Sequence, residues 1–194
     1  MRTLFGTDGV RGVAGVDLTA ELARDLGAAA AAWAGEGSRV LIGRDTRESG
    51  PELEEALAQG IVSGGGRAVH AAVIPTPGVA VLVRLGEAEL GCVISASHNP
   101  YQDNGIKFLG GDGRKLTDAD ERRIEELVGD ENDASDGSAE TVEGAAGAYV
   151  DWLAATYGDG VPAGAEPTSR SIAASRSSPS LRPSPPRNLM PLSW

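Results

Sequence analysis

Through the first 160 residues, apolar and polar positions alternate in blocks of two kinds. Short, almost wholly apolar runs occur at residues 39–43, at 68–74 (closed by Pro75) and at 90–94, and each predicts a short strand. Between them, apolar residues recur every three or four positions, as one face of a helix requires. Leu22 and Leu26 follow Thr19, a helix-capping residue, with Glu21 in the first turn. Leu53, Leu57 and Ile61 follow Ser49-Gly-Pro-Glu52, which has capping-box spacing, and Gly64-Gly-Gly66 closes that segment. Val81 and Leu85 follow Thr76-Pro77, and Ile124 and Leu127 follow Thr117 and an acidic first turn. Residues 106–109 predict another short strand, and 145–157 a last helix carrying Tyr149, Trp152 and Leu153. Strands alternating with helices predict an α/β layer structure.

Beyond residue 160 the periodicity stops. Residues 161–194 hold seven of the chain's eleven prolines and eight serines. Such a stretch cannot bury enough surface to offset its ordering entropy, so a disordered tail is expected. Hydrophobic residues make up 41% of the chain but aromatics only 4%, which predicts a core of Ala, Val, Leu and Ile. The net charge of −11 argues against a nucleic-acid partner. A small phosphate ester remains a suitable ligand, held by a few local cations and backbone N–H groups. The opening MRTLFGTDGVRG lacks an apolar signal region, and no apolar run approaches the ~20 residues of a membrane helix. A single Cys92 suits a reducing compartment. The expectation is a soluble, cytoplasmic protein with no membrane partner, its oligomeric state left open.

The chemistry-bearing residues cluster after the third apolar run. Ser95, Ser97, His98 and Asn99 follow Val93-Ile94 and precede Pro100, at the carboxyl end of a strand, where α/β sheets bind ligands. A serine beside an imidazole there reads as a nucleophile or phosphate carrier, or as a polar turn whose side chains satisfy the backbone. Tyr101-Gln-Asp-Asn-Gly-Ile-Lys107 then adds a sharp turn at Asn104-Gly105 and a lysine opening the next apolar run.

SASHNPYQDNGIKF closely resembles the active-site loop of the α-D-phosphohexomutases, and Phe5 to Gly12 (FGTDGVRG) resembles their amino-terminal motif. GRDTRESG at residues 43–50 and Thr76-Pro77 stand in the matching order, so the resemblance covers about residues 3–128. It implies a layered mixed sheet flanked by helices over residues 1–140, the family's first domain, and a helix over 141–160 leading to a second domain. It further implies that Ser97 carries the phosphate, which would sit on Mg²⁺, with His98 and Lys107 at the reacting oxygens. Arg11 would reach the same cleft, unless it is a structural ion pair with Asp8; Lys107 read alone is a surface lysine. Ser95, Asn99, Asn104 and Arg44 would support the loop, with Arg44, Asp45 and Arg47 as an ion-paired scaffold beneath it. A glucose or glucosamine 1,6-bisphosphate would activate the carrier. The pairing of FGTDGVRG with DNGIKF points to a hexosamine phosphate substrate, with other hexose phosphates, or a non-catalytic phosphate-binding domain, as alternatives.

Gly6, Gly9 and Gly12 read as turn glycines, His70 as a satisfied strand histidine, Cys92 as packing, and the acidic run from Asp130 to Glu143 as a solvated linker. The family's aspartate cluster, sugar loop and distal phosphate loop have no counterpart in this sequence. The expectation is therefore a truncated chain, inactive alone, whose residues 161–194 are either a genuine tail or an out-of-frame reading.

Overall fold

A computed structural model describes residues 4–130 and 137–158. Six strands form one sheet in the order β1-β5-β4-β2-β3-β6. These are β1 (Val10–Val13), β2 (Arg39–Arg44), β3 (Arg67–Val73), β4 (Leu90–Ile94), β5 (Asp103–Gly110) and β6 (Ser138–Thr141). β4, β2, β3 and β6 run parallel, whereas β5 runs antiparallel to both β4 and β1. The sheet is thus mixed.

Helices cover both faces. Val40 and Ile42 of β2 pack with α1 (Ala20–Ala34), α2 (Gly50–Ser63) and Ile124 of α4 (Asp118–Leu127). Leu41, between them, packs on the other face with Val79 and Leu82 of α3 (Thr76–Leu82). That alternation is the period-two geometry of a strand, and β4 is buried at every position because it lies between helices on both sides. α5 (Ala145–Tyr157) adds Ala145 and Tyr149 to the second face. Residues Met1–Trp152 form one compact unit; of Leu153–Trp194, only residues through 158 are described. The tail expected at 161–194 lies outside the described residues, as does much of the acidic run. No helix among the described residues is long and apolar enough to cross a membrane.

Helix starts follow their local signals at two of three capping positions. Thr19 Oγ1 accepts from Leu22 N at 3.2 Å, and Thr117 Oγ1 from Asp120 N at 3.2 Å. Ser49 does not complete its capping box: it makes no side-chain cap, and its hydroxyl instead accepts from Asn104 Nδ2 at 2.9 Å. Leu85 does not face the core as Val81 does. A π-type turn at Val83–Glu87 follows α3 and shifts the phase, leaving Leu85 half-buried.

Three other expectations are corrected. Asn104 and Gly105 form no turn; they lie in β5, paired with Gly12 and Arg11 of β1. Gly12 accordingly sits in a strand. Residues 138–141 of the supposed linker form β6 against β3, and Glu140 pairs at 2.8 Å with Arg39 of β2. Both missed strands lack an alternating apolar face, and partners distant in sequence supply their hydrogen bonds.

Candidate active site

The parallel strands β2 and β4 are neighbours, so the segments after their carboxyl ends meet: Asp45 N donates to Ile94 O at 3.0 Å. Residues 95–102 then loop out before β5 returns, Ser95 N donating to Gly105 O at 2.9 Å. This is the crevice where open α/β sheets take ligands.

Ser97 is exposed on this loop and its φ is 53°, in the left-handed region that costs a residue with a Cβ about 1–2 kcal/mol. Neighbours hold it there. Its N–H donates to Ser95 Oγ at 3.0 Å, and Ser95 Oγ donates to Asp45 Oδ2 at 2.7 Å. Its carbonyl accepts from Arg47 Nη2 at 2.9 Å. Its own hydroxyl lies 3.2 Å from His98 Nδ1, a ring that is also exposed. Asn99 Nδ2 donates to Asp103 Oδ2 at 3.2 Å, closing the loop's neck. Fully buried Asn104 donates to Ser49 and accepts from Gly105 N at 2.8 Å, pinning the start of β5 to that of α2.

On the other side of β5, Lys107 Nζ donates to both Asp8 oxygens, at 3.0 and 2.9 Å, and Arg11 pairs with Asp8 as well. Burial pushes the Asp8 carboxyl up, yet the hydrogen bond and charge of Lys107, then those of Arg11, hold it below its usual range. The turn that presents Asp8 needs Gly9: φ is +83°, and a Cβ there would meet Ile106 O at 2.3 Å and Lys107 Cβ at 2.9 Å. Gly105 lets Arg11 and the loop base approach, since a Cβ on it would stand 2.8 Å from Ser95 O and 3.0 Å from Arg11 Cγ.

The site residues read from sequence therefore fall into two groups around β5. Ser95, Ser97, His98 and Asn99 form the loop; Arg11 and Lys107 share Asp8. Arg44 stands apart from the loop. Its Nε donates to Glu54 at 2.7 Å, and its Nη1 donates to the Asp45 carbonyl at 3.3 Å. Glu54 also pairs with His70 Nδ1 at 2.9 Å. Burial pushes Glu54 up, but His70 and Arg44 bring it below its ordinary value; the hydrogen bond to Glu54 raises His70. Sequence reasoning offered Asp8 as a partner of Arg11, which it is, but missed that Asp8 also holds Lys107, although it is the only acid in FGTDGVRG. It placed Arg47 with Asp45 in an ion-paired scaffold beneath the loop, where the two do pair at 3.3 Å, but not the loop carbonyls that Arg47 also holds. Cys92 is wholly buried, which pushes its thiol far up.

Among the described residues no group of three or more His, Cys, Asp or Glu could hold a metal ion. A phosphate on Ser97 would add oxygen ligands of the kind magnesium takes.

Comparison with known proteins gives one consistent result. The family described as phosphoglucomutase/phosphomannomutase, alpha/beta/alpha domain I, matches residues 2–135. A phosphoglucosamine mutase of Sphingopyxis alaskensis is 49% identical over 158 residues, covering 77% of this chain and 36% of the relative. One of Lactiplantibacillus plantarum is 55% identical over 131 residues, covering 64% and 29%. A crystal structure from Thermus thermophilus described as a phosphomannomutase superposes with a TM-score of 0.70 at 33% identity, covering 78% of this chain and 35% of that one. The chain thus spans about a third of the length of the curated relatives it matches.

Proposed function

The chain belongs to the phosphoglucomutase/phosphomannomutase family through its domain I, and from that membership and the loop geometry we propose that it is the phosphoserine-bearing domain of a cytoplasmic phosphoglucosamine mutase. In this reading a phosphoryl group on Ser97 Oγ passes to O1 of glucosamine 6-phosphate. The new P–O bond forms as the Oγ–P bond breaks, and the proton of the sugar hydroxyl ends on Ser97 Oγ. The resulting 1,6-bisphosphate turns round and returns its other phosphoryl group to Ser97, leaving glucosamine 1-phosphate. His98 Nδ1, 3.2 Å from Ser97 Oγ, is within reach to deliver and retrieve that proton. Lys107 and Arg11 supply positive charge beside the loop, and little covalent chemistry is asked of them, since phosphoryl transfer gains most from positioning and charge.

The observation that carries the reading is the exposed Ser97 hydroxyl, held in a left-handed conformation beside His98 at the end of β4. Its test is incubation of the purified chain with glucose 1,6-bisphosphate and Mg²⁺, followed by phosphopeptide mapping. Phosphate on the Ser97 peptide is the expected result. Phosphate elsewhere, or none, would overturn it in favour of a non-catalytic phosphate-binding domain. Phosphomannomutase or phosphoglucomutase chemistry is a second reading, favoured by the 33% identity to the Thermus thermophilus protein. Transfer from phosphorylated Ser97 to glucosamine 6-phosphate, compared with transfer to mannose and glucose phosphates, separates the two. The rest of the site (sugar and metal contacts) is proposed to come from the two thirds of the relatives' length that this chain does not match, and turnover by the chain alone is expected to be negligible.

A further inference from the structure

Arg47, expected from sequence in an ion-paired scaffold beneath the loop, has no part in the proposed phosphoryl transfer itself. Its side chain is only 11% exposed, and its hydrogen bonds go to Asp45 and to loop carbonyls. It is surrounded by main chain. Nη2 donates to the carbonyls of Ser97 and Asn99, both at 2.9 Å. Nη1 donates to those of Pro100 at 2.7 Å, Asp103 at 2.9 Å and Tyr101 at 3.3 Å. Nε turns the other way, to Asp45 Oδ2 at 3.3 Å, and Asp45 in turn accepts from Ser95 Oγ and from the Arg47 N–H at 3.0 Å.

The loop is therefore wrapped around one guanidinium, and both ends of Ser97 are tied to it: the carbonyl directly, the N–H through Ser95 and Asp45. A single left-handed residue on an exposed loop persists only where its surroundings over-determine it. Here the hydrogen bonds on either side of Ser97 supply that determination. We propose that Arg47, resting on Asp45, is a positioning residue for phosphoryl carriage, which sets the backbone conformation of Ser97 and so the direction in which its oxygen points. The proposal deepens the carrier reading and rests on it for its functional consequence. It also requires arginine. A guanidinium presents a planar fork of N–H donors that can serve several carbonyls at once, whereas an ammonium offers a compact charge that cannot span them.

The test compares Arg47→Lys and Arg47→Ala with the unmodified chain. Two quantities are measured: phosphoryl uptake on Ser97 from glucose 1,6-bisphosphate, and the backbone conformation of Ser97 from its amide, Cα and Cβ NMR shifts. Misaiming a reacting oxygen by about 1 Å costs on the order of 10²-fold in rate. Both variants should therefore lose about that much uptake, and the Ser97 shifts should leave left-handed values, while signals from β2 and β4 stay dispersed. The lysine variant keeps the charge near Asp45 and guards against an alanine variant that fails to fold. Uptake at the original rate in Arg47→Lys, or left-handed Ser97 shifts retained in a folded variant of either kind, would overturn the proposal. If the unmodified chain takes up no phosphate, the carrier reading fails alone, and the Ser97 shifts still decide whether Arg47 sets the loop.

Discussion

Replacing Ser97 by alanine and by glycine separates the carrier chemistry from the conformation that presents it. Both substitutions remove the hydroxyl and its 3.2 Å approach to His98 Nδ1, so that contribution cancels between them. What differs is the Cβ. At φ 53°, a residue with a Cβ is disfavoured by about 1–2 kcal/mol relative to one without. Glycine gives back about 0.5–1 kcal/mol because its unfolded chain is freer. The net should favour Ser97→Gly over Ser97→Ala by about 0.5–1 kcal/mol. For a domain of this size about 1 kcal/mol moves the melting temperature by roughly 2–4 °C, so the glycine variant should melt about 1–4 °C higher. Differential scanning calorimetry on the two variants, side by side, reads the difference, and neither variant should accept phosphate. An alanine variant equal to or more stable than the glycine variant would refute the claim that the loop holds Ser97 in the left-handed region.

Two further predictions concern the scaffold. Gly60→Ala should destabilise although alanine is the better helix former by about 1 kcal/mol. The added Cβ would stand 1.9 Å from Arg24 O and 2.9 Å from Ala28 N of α1, and such overpacking costs about 1–3 kcal/mol; a urea midpoint equal to or above the parent's would contradict it. The Glu54–His70 pair should stabilise over a bounded pH range. His70 is raised from its ordinary 6.5, so its contribution is whole below that value and fades as pH climbs through its folded value. Glu54 is lowered from 4.5, so its contribution is whole above that value and fades as pH falls through its folded value. His70→Gln should therefore cost most, about 1–2 kcal/mol, between pH about 4.5 and 6.5, and progressively less in alkali. A difference in thermal stability that does not depend on pH would show that the ion pair contributes nothing.

What could be read from the sequence divides along a physical line. Features whose cause is local were visible: β4, because burial on both faces leaves an uninterrupted apolar run from Leu90 to Ile94, and α1 and α4, because Thr19 and Thr117 cap them from the adjacent turn. Features whose cause is distant were not. Val-Arg-Gly-Val and Ser-Ala-Glu-Thr become strands because β5 and β3 accept them, and neither carries an apolar pattern of its own. Asn104-Gly105 has the composition of a turn and is held extended between β1 and β4. In the site, the serine–histidine pair is adjacent in sequence and legible there. The Arg47–Asp45 scaffold pair was legible too, but the grip of Arg47 on the loop was not, because its carbonyl partners lie 50 to 56 positions away and carbonyls have no sequence signature.

The charges around β5 leave little positive charge free to meet a phosphate. Lys107 and Arg11 share one carboxylate, Asp8, so that trio carries a single net positive charge. A phosphoserine carries about two negative charges near neutral pH. Arg47 cannot make up the difference, since its guanidinium is committed to loop carbonyls and to Asp45. A phosphate on Ser97 is therefore under-compensated by the cations that flank this loop, in a chain whose net charge is −11. Electrostatic stabilisation of a transferring phosphoryl group depends on charges already in place. In the proposed reading this domain fixes where a Ser97 phosphate stands, and cations beyond the trio would supply the remaining charge when substrate arrives.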